Sequence, residues 1–357
     1  MSRRDILFTV FAAVVLLPGA GSAADYISFR EDESLQRRCL AGIHATLNDR
    51  FAEAESLFTA LTEEYPTSPL GPLFVAGAIH AHMIDCESPA RYDEYVDWLR
   101  QAEDRGDALS RSGDAPAEAA FALGVASGYE AVYESRWGGW FAALKKGLKA
   151  KNRFSDALKH DSTLVDALVG IGNYNFWKAA HTDFINWLPL VPDRRAEGIA
   201  QLERVIAEGV LAGEAARSSL VWALIQDERY EEALAHADTL AGSFPESKVP
   251  LWMTACASFK LYRWDDAHDL YDEIERRITI NGPGNYYNLV ECAYYRAQCD
   301  YEAGRWRDAA AECHQVSGYP LPDETRERQK KKLADLRRLR RELAEMLVEA
   351  PEAEGGS

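Results

Sequence analysis

One pattern of small and bulky residues recurs along this chain and narrows what it can fold into. Gly42 is followed by Phe51, Ala54, Phe58, Leu61 and Pro66. The same order and spacing return as Val221, Tyr230, Ala233, Ala237, Leu240 and Pro245. They return again as Ala255, Trp264, Ala267, Tyr271 and Ile274, and as Ala297, Trp306, Ala309, Cys313 and Val316. The spacing predicts pairs of antiparallel helices. A small residue on the first helix (Gly42, Gly172, Ala255, Ala297) faces a small one on the second (Ala54, Gly198, Ala267, Ala309). Two helices approach closely only where neither carries a large side chain. The aromatic that opens the second helix fills the base of the hairpin. Phe58, Leu202 and Tyr271 lie one turn beyond the small residue on the same face. Gly304 suits a helix end, and Pro66 and Pro245 stop second helices.

The order Gly-Phe-Ala-Phe-Leu-Pro with its helix-pair spacing resembles the tetratricopeptide repeat, a unit of about 34 residues. The resemblance implies an all-α, right-handed α-solenoid of antiparallel helix hairpins whose first helices line a concave groove. Such a stack makes a binding surface and rarely a catalyst. Residues 166–209 resemble a subtype, with Gly170-Ile171-Gly172-Asn173-Tyr174, then Leu188-Pro189, then Asp193-Arg194 followed by Gly198, Leu202 and Glu208-Gly209. Similar stretches occur in uncharacterised exported bacterial repeat proteins. They occur also in a eukaryotic repeat family associated with lipid droplets and the clearance of inclusion bodies. They imply a fold subtype and no activity.

The 357 residues would allow two or three domains, but the repeats argue for one elongated unit. The formal charge of −17 argues against nucleic acid as a partner. Residues 1–24 read as an export signal: Arg3 and Arg4, an apolar run from Ile6 to Leu17, a break at Pro18-Gly19, and Ser22-Ala23-Ala24 as a cleavage site. The run is too short to span a bilayer, which needs about 20 residues. The expected address is the periplasm, by the general secretory route or, through Arg3-Arg4, the twin-arginine route. In that setting the six cysteines could oxidise. Cys292 or Cys299 with Cys313 is the better-placed pair, and buried free thiols are the alternative reading.

Along the chain we expect repeats over 25–323, beginning with a polar lead-in. A second repeat at 69–105 has Ala76 as its small residue and a break at Glu87-Ser88-Pro89. Gly106 to Pro116 reads as a loop. Residues 117–135 and 140–160 read as a long hairpin around Trp137-Gly138-Gly139. An insertion at 177–193 carries Trp187-Leu188-Pro189. Residues 324–350 read as one basic amphipathic capping helix, with Leu333, Leu336, Leu339 and Leu343 on its apolar face. Its basic side could meet anionic lipid or an acidic partner. Residues 351–357 read as a disordered tail.

No phosphate loop, nucleophile elbow or zinc-peptidase motif is present, and we assign no catalytic residue, metal or cofactor. His80-Ala81-His82 with Asp85 and Cys86 has metal-like composition, but residues two apart on a helix point to different sides. We expect a solvated helix end there. His181 with Asp183 is an acid/base pair by composition only. Gly170-Ile171-Gly172 follows no strand, so its glycines fit helix contact rather than nucleotide binding.

The residues expected to face the groove are Asn173 and Trp177, Trp222 and Gln226, Trp252 and Lys260, and Tyr294 and Gln298. Aromatic anchors mixed with amides suit an extended peptide or an amphipathic helix. Asn173 matches an amide that some members of the family use to hold a peptide backbone or carboxylate. The basic partners of that clamp are missing here. The expected function is a non-enzymatic protein–protein interaction scaffold in the bacterial cell envelope. The alternatives are a carrier of a lipid or small apolar ligand near Trp177, Trp187 and Trp222, and an enzyme with its site in the insertion.

Overall fold

The computed structural model describes residues 26–181, 193–281 and 284–349. Every regular element among them is helical. The first half runs α1 (Glu33–Leu47), α2 (Phe51–Glu64), α3 (Leu70–Cys86), α4 (Tyr92–Ser112), α5 (Pro116–Trp137), α6 (Trp140–His160), α7 (Leu168–His181) and α8 (Arg195–Glu208). The second half runs α9 (Gly213–Gln226), α10 (Tyr230–Ser243), α11 (Val249–Lys260), α12 (Trp264–Asn281), α13 (Tyr286–Glu302), α14 (Trp306–Ser317), α15 (Asp323–Arg328) and α16 (Lys330–Glu349). Each helix from α1 to α13 packs on the next, and each odd-numbered helix from α1 to α9 also touches the next odd one. The residues expected to form the export signal, most of the expected 177–193 insertion and the expected C-terminal tail lie outside the described residues.

The recurring sequence pattern builds one recurring turn. Between the paired helices stand Asp49, Glu228, Tyr262 and Gly304, all left-handed, with φ of 60°, 60°, 60° and 77°. The next residue is arginine every time: Arg50, Arg229, Arg263 and Arg305. Each arginine N–H donates back into the first helix, to the carbonyls of Ala45, Leu224, Ser258 and Asp300, at 2.8–3.0 Å. This is a Schellman closure, which satisfies carbonyls that the ending helix leaves without partners. The aromatic residue then opens the second helix.

The small residues sit where the helices cross. Ala54, Ala255, Ala267, Ala297 and Ala309 are all fully buried. A methyl group on Gly172 would meet the Gly198 carbonyl at 2.9 Å, and one on Gly198 would meet the Gly172 carbonyl at 2.6 Å. The backbones of α7 and α8 are therefore in contact. Asp166, also buried, accepts from the backbone N–H groups of Val210, Leu211 and Ala212 at 3.0, 2.7 and 2.7 Å. That carboxylate organises the α8–α9 loop.

The run of helices curls back on itself. The α1–α2 turn meets the α10–α11 loop, about two hundred residues later: Asn48 Oδ1 accepts from the Glu246 N–H at 3.3 Å, and Asp49 Oδ2 from the Lys248 N–H at 2.9 Å. The Asp85 carbonyl accepts from the side-chain amides of Asn285 and Asn288 at 3.0 and 2.9 Å. Glu87 pairs with Arg328 at 2.5 Å and with Arg136. The rings of His44 and Phe244 lie 5.2 Å apart. These contacts form one seam joining the first hairpins to the last.

Three expectations need correction. Gly106 is buried inside α4 and not in a loop, which begins only after Ser112. A side chain on Gly106 would reach Leu123 of α5 at 3.0 Å, so this glycine serves a helix crossing. The C-terminal helix is two helices, parted at Gln329. The buried Gln329 amide donates to the Tyr287 carbonyl at 3.1 Å and to Glu291 at 2.7 Å, which pins the bend against α13. The end of α3 is not solvated. His80 is buried and stacks on Tyr95, while His82 stacks on Phe51. The two imidazoles point into different environments, as their spacing requires.

All six cysteines are free thiols, with Cys39, Cys292, Cys299 and Cys313 buried.

Candidate interaction surface

The residues expected in the groove lie on α7, α9, α11 and α13, the odd-numbered helices. Local geometry treats them differently. Asn173 is used inside the fold: its side-chain amide donates to the Val169 carbonyl at 2.9 Å and to Ser219 Oγ of α9 at 3.1 Å. The second of these bonds ties two neighbouring hairpins together. Trp177 and Trp222 are half-buried against the main core. Trp177 stands edge-on to Phe176 at 5.2 Å, and His181 lies 5.9 Å from it. His181 itself is exposed beside Trp140, and Asp183 and Trp187 lie outside the described residues. Gln226 and Lys260 are exposed, and Gln298 is half-buried.

Trp252 and Tyr294 are brought together through Tyr271, a repeat position, and through Tyr295, which the sequence did not single out. Trp252 meets Tyr271 edge-on at 6.0 Å. Tyr271 stacks on Tyr295 at 4.9 Å with an interplanar angle of 8°. Tyr295 meets Tyr294 at 5.2 Å and Phe259 at 5.1 Å. Lys332 of α16 lies over both, 5.5 Å from the Tyr294 ring and 5.0 Å from the Tyr295 ring. Its ammonium also pairs with Glu291. The result is an aromatic ladder across α11, α12 and α13 with a cation over its end, an arrangement favoured by ring quadrupoles. Burial pushes the Tyr294 and Tyr295 hydroxyls up, so both stay neutral donors.

On α16 the apolar positions Leu336, Leu339 and Leu343 are buried against α13 and α14. Arg337, Arg338, Arg340 and Arg341 are exposed on the rest of the helix. No helix among the described residues is long and apolar enough to cross a membrane.

Two clefts open elsewhere. One, of about 150 Å³, lies between α4 and α5 and is lined by Tyr92, Tyr95, Tyr133 and Glu130. The other, of about 450 Å³, lies among α12, α13 and α14 and is lined by Asp265, His268, Asp300, Arg305 and Glu312. Neither includes Trp177 or Trp222. The second cleft does have a sequence signal, visible when the repeats are compared with one another. Asp300 occupies the position of Ala45, Leu224 and Ser258, and Arg296 that of Ala41, Leu220 and Thr254. A buried acid and a buried arginine replace small or apolar residues in that hairpin alone of these four.

No protein-family model matches this chain, and no curated protein matches it.

Proposed function

We propose that this chain is an exported, tetratricopeptide-like α-solenoid that acts as a non-enzymatic scaffold for another protein. The single observation that carries the reading is the row of odd-numbered helices α7, α9 and α11, joined to α13 where the Phe259 ring meets Tyr295 at 5.1 Å, bearing Trp177, Trp222, Trp252 and Tyr294 in half-buried positions. Large aromatics held at fixed angles lose little freedom when a partner covers them, which makes them efficient anchors. Exposed Gln226 and Lys260 stand beside them to pair with a partner's polar groups. The partner would be a peptide or an amphipathic helix. Asn173 would position the wall rather than grip the ligand, since its donors are already used. The exposed arginines of α16 would offer a second contact, to an acidic partner or a membrane surface.

The test is photo-crosslinking from position 252 in envelope extract, with Arg276 as control. Arg276 is exposed on α12 and paired with Glu273 at 2.6 Å. A discrete protein captured from 252 and not from 276 is the expected result. Capture of no protein from either position overturns the scaffold reading. Lipid extracted from the purified chain would then favour a carrier.

A further inference from the structure

The cleft among α12, α13 and α14 holds a group of side chains that the scaffold reading does not use. His268 Nε2 lies 3.6 Å from Asp300 Oδ2. A carboxylate oxygen of Glu312 completes a triad whose three atoms all lie within 4.8 Å of one another. The residues come from three different helices, so the packing of the hairpins creates the triad. Asp300 is 1% exposed, and its Oδ2 is buried and accepts no hydrogen bond. An unmatched carboxylate oxygen in that position costs free energy unless a cation or donor meets it.

The surrounding groups leave that oxygen aimed at the cleft. Arg305 Nε donates to Asp300 Oδ1 at 2.7 Å, which fixes the carboxylate plane and leaves Oδ2 pointing the other way. Arg296, itself buried, donates to Glu312 Oε2 at 2.8 Å and orients the second carboxylate in the same fashion. These are the supporting contacts that metal ligands take from their neighbours. Asp265, Asp269 and Asp308 line the mouth and add negative charge. Burial, with Glu275 and Asp300 nearby, pushes the Glu312 carboxyl up even against the pull of Arg296.

We propose that His268 Nε2, Asp300 Oδ2 and a Glu312 oxygen form a site for one divalent first-row transition ion, with Zn²⁺ as its best-suited occupant. One imidazole and two carboxylates are a borderline donor set of the kind Zn²⁺ accepts, and the cleft leaves a further position open to water. Tetrahedral bonds of about 2.0–2.2 Å place ligand atoms about 3.3–3.6 Å apart, so the His268–Asp300 pair already fits. A small turn of the Glu312 side chain closes the rest. Magnesium and calcium are disfavoured, since they require more oxygen ligands than the triad supplies and take no imidazole. The ion would clamp α12 to α13 and α14, locking the aromatic ladder that Tyr271 and Tyr295 build across the same helices.

The experiment is calorimetric titration of the untagged, chelator-stripped full chain with ZnCl₂, followed by Co²⁺ as a spectroscopic probe. Wild type should bind one equivalent, with Co²⁺ giving a visible band of low-symmetry nitrogen and oxygen ligation and no thiolate charge-transfer band. His268→Gln and Glu312→Gln should each weaken Zn²⁺ binding by about 10-fold or more. His314→Gln, on the exposed face of α14, should not change it. Both test variants keep hydrogen-bonding groups and leave Asp300 with Arg305, so folding is checked by their circular dichroism and is expected to hold. Equal binding by wild type and the two variants, or binding of Ca²⁺ as tight as Zn²⁺, overturns the assignment.

Discussion

Lys248 Nζ lies 2.6 Å from Asp49 Oδ2, across 199 residues of chain, and both side chains are almost sealed from solvent. Asp85 Oδ1 shares the same ammonium at 3.2 Å. The seam between the first and last hairpins therefore closes on one cation between two carboxylates. Burial opposes the charge on Lys248, but Asp85 and Asp49 together outweigh it and hold the ammonium above its ordinary range. Burial pushes Asp85 up to about 6 in spite of Lys248, with Asp49 adding to the rise.

Removing the shared cation should be far worse than removing all three charges. Lys248→Met leaves two carboxylates without compensation, and we expect a loss of about 3–5 kcal/mol in urea unfolding at pH 7. The triple variant Asp49→Asn, Asp85→Asn, Lys248→Met should recover most of it. Equal losses for the single and the triple variant would mean that the triad contributes packing and not charge balance.

The repeated left-handed turn makes two chemically similar substitutions act in opposite directions. Glu228 at φ 60° is exposed, so Glu228→Gly relieves backbone strain and should stabilise by about 0.5–1 kcal/mol. Asp49 has the same φ but holds Lys248, so Asp49→Gly should destabilise. Thermal unfolding of the two variants side by side decides it, and a shift of the same sign in both would refute the reading.

Glycines in the helices divide by what surrounds them. Gly172→Ala drives a methyl into the Gly198 carbonyl and should cost about 1–3 kcal/mol. Gly128→Ala in α5 meets nothing within 4 Å and should gain about 0.5–1 kcal/mol from helix propensity. The measurement is the denaturation midpoint at constant m-value. A neutral Gly172→Ala would show that α7 and α8 separate easily.

His80 should make the fold acid-sensitive. Burial, with Arg136 nearby, pushes its imidazole down to about 4. The stability it lends is complete above about pH 6.5 and is lost as pH falls toward 4, a span worth roughly 3 kcal/mol. Its Nε2 has no hydrogen-bond partner, so His80→Phe keeps the stack on Tyr95 and removes the titration. The difference between wild-type and variant stability should grow in the variant's favour from pH 7 to pH 4. A constant difference would place the acid sensitivity elsewhere. Asp85 acts in the opposite sense, since its raised value makes stability fall as pH rises toward 6, and Asp85→Asn reports that part separately.

What the sequence by itself determined is local and periodic. Small residues nine before the aromatic and three after it predict where helices cross, and the glycines and alanines at those places are buried as close packing demands. Proline, glycine and the aromatic that opens the second helix mark the helix ends, because end geometry depends on the few residues present there. The apolar spacing of Leu336, Leu339 and Leu343 likewise announced a face that must be covered. Gly106 misled, because a glycine reads equally as a turn or as a crossing, and only the position of Leu123 distinguishes them.

Only the tertiary structure decided what depends on partners far apart in the chain. Nothing near Lys248 signals Asp49, since their meeting follows from small rotations summed over the intervening described helices, α2 to α10. Nothing near Asn173 signals Ser219, which its side-chain amide reaches on another helix. Trp252 and Tyr294 became one surface only through Tyr271 and Tyr295. His268, Asp300 and Glu312 are ordinary surface-type residues until three helix axes bring them within reach of a single ion. Periodicity is a property of neighbours along a helix, whereas convergence of side chains depends on the angle at which one helix leaves the next.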